Sequence, residues 1–442
     1  MEYSYKRIWQ ISYPIIMGGL AQAIINITDS AFMGRVSEVA LGAAAIGGLF
    51  YVTIFMLGFG FGVGAQIIIA RLDGEKKPKE IGEVFHHTMC FLILLGLISF
   101  LFLYFIAPYT LRSFVNSNAI YDSSEAFIQM RSWGIFFTFI IVGLRAFFVG
   151  IADTKIVSYS TILSAVLNIV LNYVFVFGKF GYAPMGIAGS ALASNLSEAI
   201  ACIYALIYTF KTVDRNQYSL FKFDSLRIKL ERVKSIFVVA APVMFQLFLA
   251  VFSWFVFFMI VEKIGERELA ISNLVRNAYI ILMIPLIGFS SATNTIISNL
   301  IGQKKQNEVF LTMYRICIMS IVATAILMAV NLVLASEVLA IFTNDISLIK
   351  DTLPCIYIIS GSLILFSFTT IILSSVSGTG NTMASLVIEF ITIVFYLWAS
   401  YIMAVSLKSS IEMVWAVEYV YFTFMGGLAY LYLRKGNWRE LA

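Results

Sequence analysis

The chain has 442 residues, 60% hydrophobic and 12% charged, with a formal net charge of +5. Soluble domains carry about 25% charged residues, and no water-soluble core of this length hides so much apolar surface. A soluble enzyme and a nucleic-acid-binding domain are excluded, because the basic residues sit in short loops between apolar runs.

Twelve apolar runs reach the length of about 20 residues that crosses a bilayer. They are α1 (8–33), α2 (43–70), α3 (86–110), α4 (127–150), α5 (156–178), α6 (184–210), α7 (235–261), α8 (269–300), α9 (310–335), α10 (353–377), α11 (383–405) and α12 (411–433). The first run is too long for a signal-peptide core and lacks a small-residue cleavage site, so it is expected to be retained. α1 carries Pro14, Gln22, Asn26 and Asp29. Proline inside a helix frees a backbone carbonyl and bends the helix, which makes Pro14 a hinge candidate and Pro242 in α7 its counterpart. α2 carries Gly58, Gly60, Gly62 and Gly64. No strand precedes them and no nucleotide fingerprint follows, so they read as close helix packing. His86 and His87 open α3 and are expected at the membrane interface. α5 places Asn168 and Asn172 four residues apart, on one helical face. α6 follows with Ser190, Ser194 and Glu198. Arg276 in α8, Glu389 in α11 and Glu418 in α12 are further embedded charges, read as structural pairs or cavity residues; Arg276 could pair with an α11 or α12 glutamate. The four cysteines fall inside helices without a CxxC pair and read as small apolar filler.

An even number of spans puts both termini on one side. Lys6, Arg7, Arg71, Lys76, Lys77, Lys304, Lys305, Arg434 and Lys435 gather there, with the basic 211–234 stretch that includes Lys222 and Arg227. The opposite loops hold far fewer. The positive-inside bias makes the termini and this stretch cytoplasmic in a multi-pass protein of the cell (inner) membrane.

The chain repeats itself at a constant offset of 228 residues: Pro14 meets Pro242, Gly60-Phe61 meets Gly288-Phe289, Lys76-Lys77 meets Lys304-Lys305, Asn116 meets Asn344, and Gly150 meets Gly378. A repeat defines architecture. The expected fold is an all-α polytopic membrane protein of two six-helix lobes, 1–210 and 235–442, joined by a cytoplasmic linker at 211–234. Six spans per lobe give both lobes the same orientation, a parallel repeat, with a central cleft between them.

The two halves differ at their polar positions. Gln22, Asn26 and Asp29 face Ala250, Trp254 and Phe257 across the offset, and Asn168 and Asn172 face Tyr396 and Ser400. Charges inside a bilayer are costly and mark function by default. At about 1.5 Å per residue, Asp29, Asn168, Asn172 and Ser194 reach one level in the outer half of the N-lobe. Two chemistries suit such a group. A desolvated carboxylate takes up a proton more readily than one in water, and a carboxylate with amide and hydroxyl oxygens is a shell for Na⁺ by the logic of other hard cations.

Residues 145–198, RAFFVGIADTKIVSYSTILSAVLNIVLNYVFVFGKFGYAPMGIAGSALASNLSE, resemble the α4–α6 signature of the multidrug and toxic compound extrusion (MATE) family. That signature is a G-x-x-D-T turn, N-I-V-L-N/D, F-G and G-x-A-G-x-A-x-A-T/S. Pro14 and the N-x-x-D of Asn26 and Asp29 in α1 agree with it. The resemblance covers nearly the whole chain. It implies an antiporter that expels organic, cationic and amphipathic compounds, driven by H⁺ or Na⁺ and needing no other cofactor. It maps the coupling-ion site onto Asp29, Asn168, Asn172 and Ser194, with Asn26 beside them and Na⁺ at Asp29, Asn168 and Asn172 as one form of it. Gln22, Pro14 and Arg276 are substrate or hinge candidates. Some members carry a second acidic pair on α7 and α10. Here the α7 position falls near Ala250 and α10 has no acid between Pro354 and Gly378, so coupling is expected to rest on the N-lobe. The expected partners are a small organic substrate and the bilayer, without nucleic acid, and the expected state is a monomer. The competing reading is a lipid-linked oligosaccharide flippase of the same superfamily, which would line its cavity with arginines. A membrane-embedded transferase would need a metal-binding carboxylate cluster that the loops lack.

Overall fold

The computed structural model describes residues 3–115, 117–220 and 229–439. Asn116 and the 221–228 part of the expected linker, with Lys222 and Arg227, lie outside the described residues. Among the described residues every element is a helix. α1 is Tyr5–Val36, α2 Glu38–Gly74, α3 Pro78–Leu101 and α4 Asn118–Ser132 with Gly134–Gly150. α5 is Lys155–Phe177, α6 Gly186–Thr212, α7 Leu230–Glu262 and α8 Glu266–Leu282 with Ile284–Gly302. α9 is Val309–Val333, α10 Ile346–Gly378, α11 Thr382–Tyr401 and α12 Ile411–Lys435. Among the described residues ten helices are individually long and apolar enough to cross a bilayer, and the two pieces of α4, bent by 47°, make an eleventh. α12 has 25 residues, about 37 Å of helix. Its length suffices, and its tyrosines and Glu418 dilute its apolarity. Together these are the twelve expected spans.

Two helices depart from the expected continuous runs. α8 breaks at Met283, with Pro285 at the start of its second piece. Pro285 supplies no N–H and its ring collides with the preceding turn. Its repeat mate is Leu57, and α2 runs unbroken through it. α4 bends at Trp133 beside Gly134, where a buried charge must be accommodated, as described below.

The chain forms two compact units, Met17–Met244 and Met1–Ile16 with Phe245–Ala442. Both boundaries fall two residues after a kink proline, Pro14 or Pro242, and they are themselves one repeat apart. α1 therefore gives its first turns to the unit of α8–α12, and α7 gives its first turns to the unit of α2–α6. Glycines make this possible. A Cβ on Gly60 would lie 2.6 Å from the Met244 Cα, and one on Gly64 would lie 2.4 Å from the Ala240 Cα. In the other unit a Cβ on Gly288 would lie 2.3 Å from Ile16 Cγ1. Gly60 and Gly288 are repeat mates, as are Met244 and Ile16, so each half packs its second helix on the other half's first helix in the same way. The glycine run of α2 is a packing surface, as expected from the sequence.

The beginning of α7 is also tied to α3. Arg232 pairs with Glu80 at 3.0 Å and Glu83 at 3.3 Å, and Lys229 Nζ pairs with Glu83 at 2.8 Å. The backbone N–H of Lys229 donates to His87 Nε2 at 2.9 Å, while His87 Nδ1 lies 2.7 Å from the Glu83 carbonyl. His87 is thus buried, because the incoming chain covers it; His86 is half-buried.

Candidate functional site

The polar residues of α1, α5 and α6 meet in the Met17–Met244 unit. Asp29 lies seven residues before the end of α1, and Asn172 five residues before the end of α5. At about 1.5 Å per residue both are within roughly 10 Å of the same helix ends. Asn172 Nδ2 donates to Asp29 Oδ1 at 2.7 Å. The same amide donates to Asn168 Oδ1 at 3.1 Å and to the Asn168 carbonyl at 3.0 Å. Asn168 Nδ2 donates in turn to Ser194 Oγ at 3.1 Å. The result is one hydrogen-bonded line, Ser194–Asn168–Asn172–Asp29, crossing three helices. The i, i+4 spacing of the two asparagines makes it possible, since both amides project from one face.

Burial grades along this line. Asn168 and Asn172 are fully buried, whereas Asp29 and Ser194 are half-buried. Asn172 Oδ1 is buried with no hydrogen-bond partner. An orphaned buried acceptor is costly, and here it sits beside a carboxyl. A proton on Asp29 or a small hard cation would each use that oxygen. Among the described residues no three His, Cys, Asp or Glu side chains gather as for a transition metal. A cation here would be held by one carboxylate with amide and hydroxyl oxygens.

The other candidates stand apart from this line. Asn26 is exposed on α1, and Gln22 Nε2 donates to its Oδ1 at 3.4 Å. Pro14 lies within α1 in the other unit. Arg276 makes no ion pair among the described residues; its guanidinium stacks 5.1 Å from the centre of the Phe258 ring. The expected partnership of Arg276 with an α11 or α12 glutamate is not formed. Glu418 bonds to Ser362 and Glu389 to Gln246 instead.

A second network lies next to the first, and sequence spacing gave no sign of it. Arg131 on α4 forms a bidentate pair with Glu198 on α6, with Nη1 at 2.8 Å from Oε2 and Nη2 on Oε1. Arg131 Nη1 also donates to Asn195 Oδ1 at 2.9 Å, and the guanidinium lies 3.9 Å from the centre of the Tyr51 ring. Thr138 Oγ1 donates to Glu198 at 2.9 Å. A Cβ on Gly134 would come within 2.1 Å of Arg131 Nη1, so the bend of α4 and its glycine clear room for the guanidinium. Arg131 and Glu198 both act electrostatically on Asp29. The carboxyl that faces the asparagine line therefore also feels the Arg131–Glu198 ion pair. The embedded Glu198 was the one available hint, since a buried carboxylate requires a cation; its partner lies 67 residues away.

Residues 14–174 and 242–402 each match the sequence profile of MatE, together most of the chain. The chain belongs to the MatE family. The two matched stretches of this MatE chain are displaced by the same 228 residues that separate its sequence landmarks. Among curated relatives, the "Probable multidrug resistance protein NorM" of Listeria monocytogenes is 26% identical over 238 residues, 54% of this chain and 52% of the relative. The alignment thus spans about half of that protein. The protein of the same name from Photorhabdus laumondii is 24% identical over 380 residues, 84% of this chain and 81% of the relative. The fold is shared with a structure described as the outward-facing conformation of a multidrug resistance MATE family transporter, with a TM-score of 0.90 at 18% identity over 97% of this chain and 95% of that one. It is shared also with a MOP superfamily transporter from Pyrococcus furiosus, TM-score 0.89 at 19% identity over the same shares.

Proposed function

We propose that this MatE protein is an ion-coupled antiporter that exports organic, cationic and amphipathic compounds by alternating access. The observation that carries the reading is the bond between Asp29 and the orphan-bearing amide of Asn172. It is a polar site built in one half only, around a carboxyl that is neither fully sealed nor fully wet. Asp29 is the group that exchanges the coupling ion, H⁺ or Na⁺. Asn172 and Asn168 report its state across α5 to Ser194 on α6. Binding of an ion can shift a conformational equilibrium only through contacts that differ between the two states, and the Asp29–Asn172 bond is such a contact. Pro14 lets α1 change its bend where α1 passes between the two units. The termini and the linker face the cytoplasm, in the cell membrane, and the working unit is a monomer.

The oligosaccharide-flippase reading would need free arginines to hold a pyrophosphate. Arg131 is committed to Glu198, Asn195 and Tyr51, and Arg276 is stacked on Phe258, which favours the antiporter.

The test is efflux of a cationic dye from proteoliposomes under a proton gradient alone and a Na⁺ gradient alone. Wild type should move dye under one of the two, and Asp29→Asn should fold, insert and lose that movement. Unchanged efflux in Asp29→Asn would remove Asp29 from the mechanism. No gradient-driven movement in wild type would remove the antiporter reading.

A further inference from the structure

The unit built mainly from α8–α12 contains two buried acids that no part of the N-lobe site uses. Glu418 on α12 is 5% exposed and Glu389 on α11 is 9% exposed. Their repeat mates are Ser190 and Thr161, so the N-terminal half has no acid at either position. Among the described residues no ion pair includes either acid, and no Lys, Arg or His acts on Glu418 or on Glu389. Glu418 is hydrogen-bonded by Ser362 of α10 and Tyr279 of α8, and the hydroxyls of Tyr396 of α11 and Tyr421 of its own helix act on it electrostatically. All of them are neutral hydroxyl groups.

The hydrogen bonds at Ser362 bear on which species is present. Its Oγ lies 3.1 Å from Glu418 Oε2 and 2.9 Å from the Ile359 carbonyl. A serine hydroxyl has one proton and a carbonyl has none. That one proton is shared between the Ile359 carbonyl and Glu418 Oε2, so Ser362 brings the carboxyl a neutral hydrogen bond and no compensating charge. A bare carboxylate without a cation is strongly disfavoured in such surroundings, and neutral hydroxyls without a second carboxylate or carbonyl ligands form no cation shell comparable to known hard-ion sites. A proton is the occupant that fits.

The second acid lies on the neighbouring helix α11. Tyr421 feels both Glu389 and Glu418, and its ring is 5.0 Å from that of Tyr396. Glu418 lies seven residues into α12 and Glu389 seven residues into α11. The two helices run in opposite directions, so the acids stand roughly 15 Å apart along the bundle, with the tyrosine pair at the intermediate level. Glu389 accepts a hydrogen bond from the Gln246 side-chain amide, four residues after the kink proline of α7.

We propose that this half of the molecule has its own proton-binding site, with Glu418 as the proton-holding group and Glu389, reached past Tyr421, as its second acid. It rests on the ion-coupled reading above and goes beyond it, because that reading places coupling at Asp29 alone. Occupancy at Glu418 is read by the α8, α10 and α11 hydroxyls around it. Occupancy at Glu389 is read by Gln246, four residues after Pro242 of α7.

The experiment uses the full-length protein. In pH-difference infrared spectra, wild type should show a protonated-carboxyl C=O band that Glu418→Gln removes. In proteoliposomes under a proton gradient, Glu418→Gln and Glu389→Gln should bind dye with wild-type Kd but pump it at least tenfold more slowly. A Glu418→Gln protein that pumps like wild type, or a carboxyl band indifferent to that substitution, overturns the proposal. If Glu418→Gln does not purify, Ser362→Ala takes its place: the band should shift in frequency, and an unshifted band overturns the proposal. Wild type that shows no gradient-driven efflux fails the antiporter reading, and the infrared result then decides Glu418 by itself.

Discussion

Removal of Glu198 should be the most destabilising single change among the buried polar groups of the Met17–Met244 unit. Glu198 takes both arms of the Arg131 guanidinium and the Thr138 hydroxyl. Its loss leaves Arg131 with Asn195 and the Tyr51 ring. The Arg131 side chain is only 11% exposed, so water cannot replace the carboxylate. Breaking a buried pair by removing one partner costs about 3–5 kcal/mol, while the remaining cation–π contact returns about 0.5–2 kcal/mol at most and is present in both proteins. The pair term therefore dominates. For a unit of this size that corresponds to roughly 6–20 °C in apparent Tm. The assay is thermal unfolding of the purified protein for Glu198→Ala and for the double substitution Arg131→Met/Glu198→Leu. The double variant replaces both charges with apolar groups of similar volume and should recover to within about 1 kcal/mol of wild type. A loss below about 1 kcal/mol in Glu198→Ala alone would mean that the pair is solvated, and the account of Arg131 as a dry, committed cation would fall.

Asn172→Leu should insert and fold but cut gradient-driven dye efflux at least tenfold, since it removes the bond to Asp29 and the orphaned acceptor together; wild-type efflux would separate the asparagine line from coupling. Gly64→Val should lower the apparent Tm by more than a surface substitution does, by about 1–3 kcal/mol of overpacking, because the new Cβ meets backbone at Ala240 rather than a movable side chain; an unchanged Tm would show that α7 yields there. Lys229→Ala should change stability by less than about 1 kcal/mol, as its side chain is 58% exposed at the pair with Glu83; a larger loss in thermal unfolding would assign the linker contact a structural weight that the geometry does not give it. Pro14→Ala should slow transport without lowering the Tm, and normal transport in that variant would remove the hinge.

Several features of this protein follow from its sequence alone because they depend on local composition or on a one-dimensional period. Apolar runs of spanning length need no partner to be recognised, since a helix in lipid satisfies its own backbone. The 228-residue offset is visible without coordinates, and it carries the two-half plan with it. The asparagine line was legible for the same reason: Asn168 and Asn172 share a face by spacing, and Asp29 is a charge in an apolar helix that helical rise brings to a similar depth. What spacing cannot encode is which residue from a distant helix stands opposite. Arg131 meets Glu198 across 67 residues, and Gln246 meets Glu389 across 143. Arg276 stacks on Phe258 and pairs with neither of the α11 and α12 glutamates. His87, whose place at the start of α3 names no partner, is buried because the start of α7 lies over it. The proline break in α8 needed only Pro285, but the bend in α4 follows from making room for a guanidinium beside Gly134. Pairing of charges across helices is a property of packing. Each helix is stable without it, so the sequence of any one helix carries no record of its partner.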